Sequence, residues 1–340
     1  MRKLLEELLL DSVQSVAGVS PSAFLAVRYP SLIKVMQFAE QTPQAAYAAT
    51  KFRAIFARQN WILDSTSLES FFQLAGEVQF WMLAAHRGLA LERIPETDFP
   101  TADFQLMRCP ANSMCFEVKT LSVSGGWRAL AKMAEDSYEA QLRLHAQSAQ
   151  GQRIAITESS VAPHGSLPRQ LQQTTVCRHL IDKTLSNIKA GQFSTAPTFL
   201  VLNLMLIDGV SSDSSDLRPV APGYPHDWSV RTGALWTLAF GSMGQLVHGN
   251  PEFEGLPGVE GRLEREGVLV HPDHKSVAGL LLVLHRLNAD PIRYGLIRHA
   301  DAQLWESQNP KVLEDFHALV ASNWNDDRDS NSSQLTSRSA

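Results

Sequence analysis

Cysteine is scarce: the 340 residues contain three, Cys109, Cys115 and Cys177, and none has Cys-x-x-Cys spacing. Three thiols cannot close a disulfide framework, so the composition fits a reducing compartment. Long apolar runs are missing as well, and none approaches the roughly 20 residues that span a bilayer. Arg2 and Lys3 open the chain, but Glu6 and Glu7 interrupt the leucines that follow. That pattern argues against a signal peptide and for a cytoplasmic location. There is no excess of positive charge, with 30 Lys and Arg against 35 Asp and Glu and a net charge of −5. Tight nonspecific binding of polyanions is therefore not advertised, although a local basic patch on an acidic chain can still take phosphates. A Gly-x-Ser-x-Gly elbow, a Walker loop and a dinucleotide-binding glycine fingerprint are all absent, which leaves serine-hydrolase, nucleotide-driven and hydride chemistry without support. No internal repeat is visible.

What is present is ample core material: 44% apolar and 19% charged residues, ordinary for a globular chain. The most informative stretch runs from Pro100 to Leu121. Two arms alternate apolar with polar residues, and Cys109-Pro-Ala-Asn-Ser113 between them carries turn formers, so an antiparallel hairpin is expected. A turn centred near Ala111 sets Asp103 opposite Lys119 and Gln105 opposite Glu117. These four share one face, while Phe104, Leu106, Phe116 and Val118 share the other. Asp103 and Glu117 become diagonal neighbours, roughly 7–8 Å apart at Cα. Two carboxylates at that separation can converge on a Mg²⁺-type cation, and a lysine beside them can orient or activate water. The plainer alternative is a cross-strand ion pair worth well under about 1 kcal/mol. Cys115 and Leu121 lie on the polar face too, so it is partly covered, and partial burial of unpartnered carboxylates favours a cation between them.

Asp103 followed by Glu117-Val118-Lys119 resembles the motif of the PD-(D/E)xK nuclease superfamily, with Pro100 three residues ahead of the aspartate instead of adjacent to it. The resemblance covers residues 64–207 and includes a helix–strand–hairpin–helix–strand order. It implies a restriction-endonuclease-like α/β core and Mg²⁺-dependent hydrolysis of phosphodiester bonds, with DNA as the expected partner and Mn²⁺ as a substitute metal. In that reading Asp103 and Glu117 hold the metal, the Val118 carbonyl is a third oxygen, and Glu77 binds directly or through water. Lys119 positions the attacking water. Lys183, one turn before Asn187, is an auxiliary candidate whose plain reading is a solvated lysine. The alternative is a catalytically inactive nuclease-fold protein that serves as a nucleic-acid- or protein-binding module.

The fold class expected is α/β, a mixed central sheet flanked by helices, with an N-terminal helical region and a C-terminal sheet extension. Four segments are expected: helices over 1–62, a nuclease-like core over 63–208, an extension over 209–324 and a disordered tail over 325–340. The N-terminal helices would offer a surface for a second copy or a protein partner. Within them, Leu4 to Val13 has helical spacing, Pro30 is expected to divide the next helix, and 44–58 forms another. Lys51, Arg53 and Arg58 on the latter either touch DNA phosphates or form a solvated face. Thr66-Ser-Leu-Glu69 reads as a capping box, with Gly88 closing that helix. Further expectations are strands at 89–94, 153–157, 197–207, 277–285 and 292–298, and helices at 127–147, 170–190, 228–246 and 310–324. Loops are expected at 159–168 and 209–216. His271 and His274 flank a Pro-Asp pair without an evident third ligand, too little for a zinc site; a polar loop is the alternative.

Overall fold

The computed structural model divides into two units interleaved along the sequence. One comprises Met1–Met82, Ser122–Gln170 and Leu287–Ala289; the other comprises Leu83–Leu121, Leu171–Arg286 and Asp290–Ala340. This differs from the four consecutive segments expected, because strands distant in sequence join one sheet. The structure describes residues 22–58, 61, 64–95, 98–106, 113–123, 125–159, 172–193, 196–207, 217–220, 228–231, 234–251, 257–284, 291–320, 324–327 and 336–337. The expected helix at 4–13 and the loops at 159–168 and 209–216 fall wholly or largely outside the described residues.

The first unit is helical. It contains α1 (Ser22–Gln41), α2 (Ala46–Phe56), most of α3 (Ser65–His86) and α4 (Gly126–Ala149). Helix α1 runs through Pro30 without dividing, contrary to expectation. Rings fill the core: Trp61 lies 4.9 Å from Phe56 and 5.4 Å from Phe71, and Phe52 lies 5.6 Å from Phe71. Helix α3 starts two residues earlier than the capping box implied, and its cap is Asp64, whose Oδ2 accepts the Ser67 amide at 2.9 Å. Gly88 follows the helix in the left-handed conformation (φ 72°), as expected of a terminating glycine. Residues 153–157 are not a strand; Ile154 and Ile156 stand exposed there.

The second unit is built on a seven-stranded mixed sheet. In chain order its first strands are β1 (Glu92–Arg93), β2 (Phe104–Leu106), β3 (Met114–Thr120) and β4 (Thr198–Asn203), with helix α5 (Gln173–Asn187) before β4. Then come β5 (Leu217–Val220), β6 (Trp228–Arg231), helix α6 (Ala234–Phe240), β7 (Leu246–Pro251) and β8 (Pro257–Arg262). Strands β9 (Val277–Leu284) and β10 (Ile292–Ile297), helices α7 (His299–Gln308) and α8 (Pro310–Val320), and strands β11 (Trp324–Asp326) and β12 (Thr336–Ser337) complete it. The large sheet has the order β1-β2-β3-β4-β9-β10-β11. Strand β3 pairs parallel to β4 and β4 parallel to β9, while β1–β2, β2–β3 and β9–β10 are antiparallel.

Strands β4 and β9 are buried along their whole length, as their unbroken apolar runs require when helices cover both faces. On one face Leu200, Leu202, Leu280 and Leu282 pack with Val176 and Leu180 of α5 and Trp236 of α6. On the other, Phe199 stacks on Phe316 at 4.9 Å and lies 5.4 Å from Trp305. Gly295 permits that packing, because a Cβ there would lie 2.7 Å from the Phe316 ring.

Three expectations fail in this unit. The expected helix 228–246 is helical only over Ala234–Phe240, flanked by β6 and β7; its apolar spacing was also compatible with short strands. Helix α8 ends at Val320, and Trp324 enters a strand with Asn325 and Asp326. Part of the expected disordered tail therefore pairs with β10, and Thr336–Ser337 pairs with β6.

Candidate active site

Strand β3 carries the sequence Met-Cys-Phe-Glu-Val-Lys-Thr. Its parallel register sets Glu117 beside Leu200 and Lys119 beside Leu202, so both polar residues project onto the face covered by α5 and its neighbours. That is why Glu117, on an otherwise apolar face, is 1% exposed. The antiparallel register with β2 pairs Phe104 with Phe116, Gln105 with Cys115 and Leu106 with Met114. The hairpin is thus two residues away from the expected register, and Gln105 does not oppose Glu117. A two-residue slip keeps every side chain on its face, so hydrophobic alternation cannot detect it. The length of the turn decides it, and residues 107–112 lie outside the described ones.

Asp103 sits one residue before β2. Its amide donates to the Phe116 carbonyl at 3.0 Å and its carbonyl accepts from Ile94 at 2.9 Å. Its carboxylate Oδ2 accepts the Val118 amide at 2.8 Å. Glu117 Oε1 accepts from Gln192 Nε2 at 2.6 Å and also contacts the Lys119 ammonium. Glu117 Oε2 is buried with no hydrogen-bond partner among the described residues. Burial, and secondarily the negative charge of Asp103, push the Glu117 carboxyl from 4.5 up to about 7, against the opposing pull of Lys119 and Gln192. Asp103, Glu117 and Lys119 are therefore brought together, as the hairpin reading required, although through a different register.

Gln192 was not anticipated. It lies in a short 3₁₀ turn, Ala190–Phe193, immediately before β4, and meets Glu117 across 75 positions of sequence. An amide between two glycine- and aromatic-flanked positions carries no motif, so only the return of the chain at β4 reveals it.

The other candidates make these contacts. Glu77 belongs to the first unit, on α3, half-buried, with Gln73 one turn back at 3.4 Å. Val118 lends its amide to Asp103. Lys183 is half-buried, and its carbonyl accepts the Asn187 side-chain amide at 2.6 Å. Arg53 lies 3.7 Å from Glu40, Arg58 donates to the Ser67 hydroxyl at 3.1 Å, and Lys51 lies 6.0 Å from the centre of the Tyr47 ring. The His271 and His274 rings lie 4.8 Å apart around a 3₁₀ turn, and burial first, then His271, lowers the His274 pKa. Cys115 and Cys177 are free, buried thiols; Cys109 lies outside the described residues.

Among the described residues, no group of three or more His, Cys, Asp or Glu side chains is arranged to hold a metal ion. Two carboxylates nevertheless meet the ordinary requirement of Mg²⁺, which keeps several waters and takes one or two carboxylates together with substrate phosphate oxygens. The orphaned Glu117 Oε2 beside Asp103 fits such an ion. No helix among the described residues is long and apolar enough to cross a membrane. Comparison with known proteins finds no matching family model, curated protein or solved structure.

Proposed function

We propose that this chain is a Mg²⁺-dependent nuclease that hydrolyses phosphodiester bonds in DNA, with its site formed by Asp103, Glu117 and Lys119. The observation that carries the reading is the buried Glu117 oxygen without a hydrogen-bond partner among the described residues, next to a second carboxylate. Two carboxylates against one ammonium leave the cluster one negative charge in excess when Glu117 is ionised. Leaving that charge buried is costly, and a cation relieves it. The surrounding order supports the same reading: helix α3, the β1–β2–β3 meander, helices α4 and α5, and then β4 parallel to β3.

A bound divalent ion would lower the pKa of a coordinated water and offset phosphate charge. Asp103 is fixed through three backbone hydrogen bonds, two from its own main chain and one to its carboxylate, which preorganises one acidic ligand. Glu117 supplies the second from the adjacent strand. Lys119, one-fifth exposed, has its ammonium at Glu117 and access to solvent. It can orient a water toward the scissile phosphate and stabilise the charge that grows there.

A second reading is a nuclease-fold module that binds nucleic acid or protein without cleaving. One observation favours it: Lys119 directs its ammonium at Glu117, an arrangement that also serves as a purely structural ion pair. Incubation with plasmid and linear DNA in Mg²⁺ or Mn²⁺, alongside Asp103→Ala and Lys119→Ala, separates the two. The nuclease reading expects metal-dependent cleavage lost in both variants. Cleavage that survives in both, or a wild-type protein that never cuts, removes it.

A further inference from the structure

One contact at Glu117 comes from outside the hairpin. Gln192 reaches it from the 3₁₀ turn ahead of β4, and the direction of its amide is set locally: Gln192 Oε1 accepts the Lys189 backbone amide at 3.0 Å. The Nε2 end is then the one turned to Glu117 Oε1, at 2.6 Å; a flipped amide would set two acceptors against each other. The turn is anchored on both sides. Phe193 is buried in the apolar cluster beneath the sheet. Gly191 lies so close to Pro100 that a Cβ on it would stand 3.3 Å from both the Pro100 Cβ and carbonyl. A single turn therefore touches the segment leading into Asp103 and the carboxylate of Glu117.

The distribution of donors is one-sided. Lys119 and Gln192 both converge on Oε1, while Oε2 is buried without a hydrogen-bond partner among the described residues. Donors whose only task was to make a buried carboxylate tolerable would serve both oxygens, since each unsatisfied acceptor carries its own desolvation cost. We propose that Gln192 is a positioning residue: it clamps Glu117 through Oε1 and so presents Oε2 as the oxygen offered to a divalent cation beside Asp103. This rests on the metal-dependent reading above. It assigns to the turn before β4 the outer-shell role that hydrogen-bond partners of metal ligands commonly play.

The test is Mn²⁺ and Mg²⁺ binding to the full chain by titration calorimetry, comparing wild type with Gln192→Met, which keeps the length of the side chain and removes the donor. The expected result is metal affinity weakened about 10–100-fold, the usual cost of losing an outer-shell partner, with the metal-free thermal midpoint little changed. DNA cleavage by Gln192→Met should fall at limiting Mn²⁺ and recover at saturating Mn²⁺, a rescue that a merely structural defect would not show. If Gln192→Met does not fold, Gln192→Asn carries the same comparison, because it keeps the amide but is one methylene short of Glu117. Equal affinity in wild type and variant overturns the role of Gln192 and leaves the nuclease reading standing. A wild-type protein that binds neither ion overturns both.

Discussion

Replacing Glu117 with glutamine should stabilise the protein in alkaline solution while removing the proposed nuclease activity. The wild-type carboxyl is raised from 4.5 to about 7 by burial and by Asp103. Below 4.5 the group is protonated in both the folded and the unfolded chain and contributes no difference. Between 4.5 and 7 the folded chain holds a proton that the unfolded chain has released, so stability falls as pH rises. Above 7 the full penalty is present. A difference of 2.5 pH units corresponds to about 3 kcal/mol. Gln at 117 keeps an acceptor for Gln192 but carries no charge and does not titrate. Its unfolding free energy should lack this slope, and near pH 8 it should exceed that of wild type by up to about 3 kcal/mol, a difference that already contains the opposing pull of Lys119 and Gln192. The assay is urea unfolding followed by tryptophan fluorescence at several pH values from about 4.5 to 8, with and without Mg²⁺. Added Mg²⁺ should raise wild-type stability near pH 8 and leave the variant unmoved, since only a ligand that binds the folded state stabilises it. Parallel stability profiles for the two proteins across that range would refute the reasoning, because the buried charge would then cost nothing.

Two further substitutions test the scaffold of the two units, one in each. Gly295→Ala inserts a Cβ 2.7 Å from the Phe316 ring and 2.8 Å from Val320, and should destabilise by about 1–3 kcal/mol through overpacking, read as a lower urea midpoint. Asp64→Ala removes the cap from α3 and should raise the hydrogen-exchange rate of the Ser67 amide. The Asp64 carboxyl is held below its usual value by its hydrogen bonds with Ser67, so its contribution is present above the unfolded pKa and fades as pH falls. The difference between Asp64→Ala and wild type should therefore shrink as the pH falls below the ordinary carboxylate range.

The hairpin was legible because its two arms alternate with period two, which assigns faces without any knowledge of register. Asp103, Glu117 and Lys119 consequently fall on one side in either of two registers, and the site survived the slip. The unbroken apolar run in β4 likewise announced a strand covered on both faces. Short elements were less readable. Residues 228–246 hold a seven-residue helix between strands, and apolar spacing over so few residues suits either conformation. Trp324 read as the end of a helix and Asn325 and Asp326 as the start of a polar tail, yet the three form a sheet edge beside β10, because pairing with an existing strand satisfies their backbone whatever their polarity.

By itself the sequence determined the identity and facing of the acidic and basic side chains, since alternation along an extended strand is a local geometric property. Only the tertiary structure decided how deeply Glu117 is buried, which of its oxygens is engaged, and that Gln192 engages it. Burial depends on helices that return from distant sequence to cover the face, and a carboxylate's proton affinity follows from what surrounds it. The same three residues on an open ribbon would be a solvated ion pair. Beneath α5 and against the turn before β4, they become a charged cluster with one oxygen unanswered.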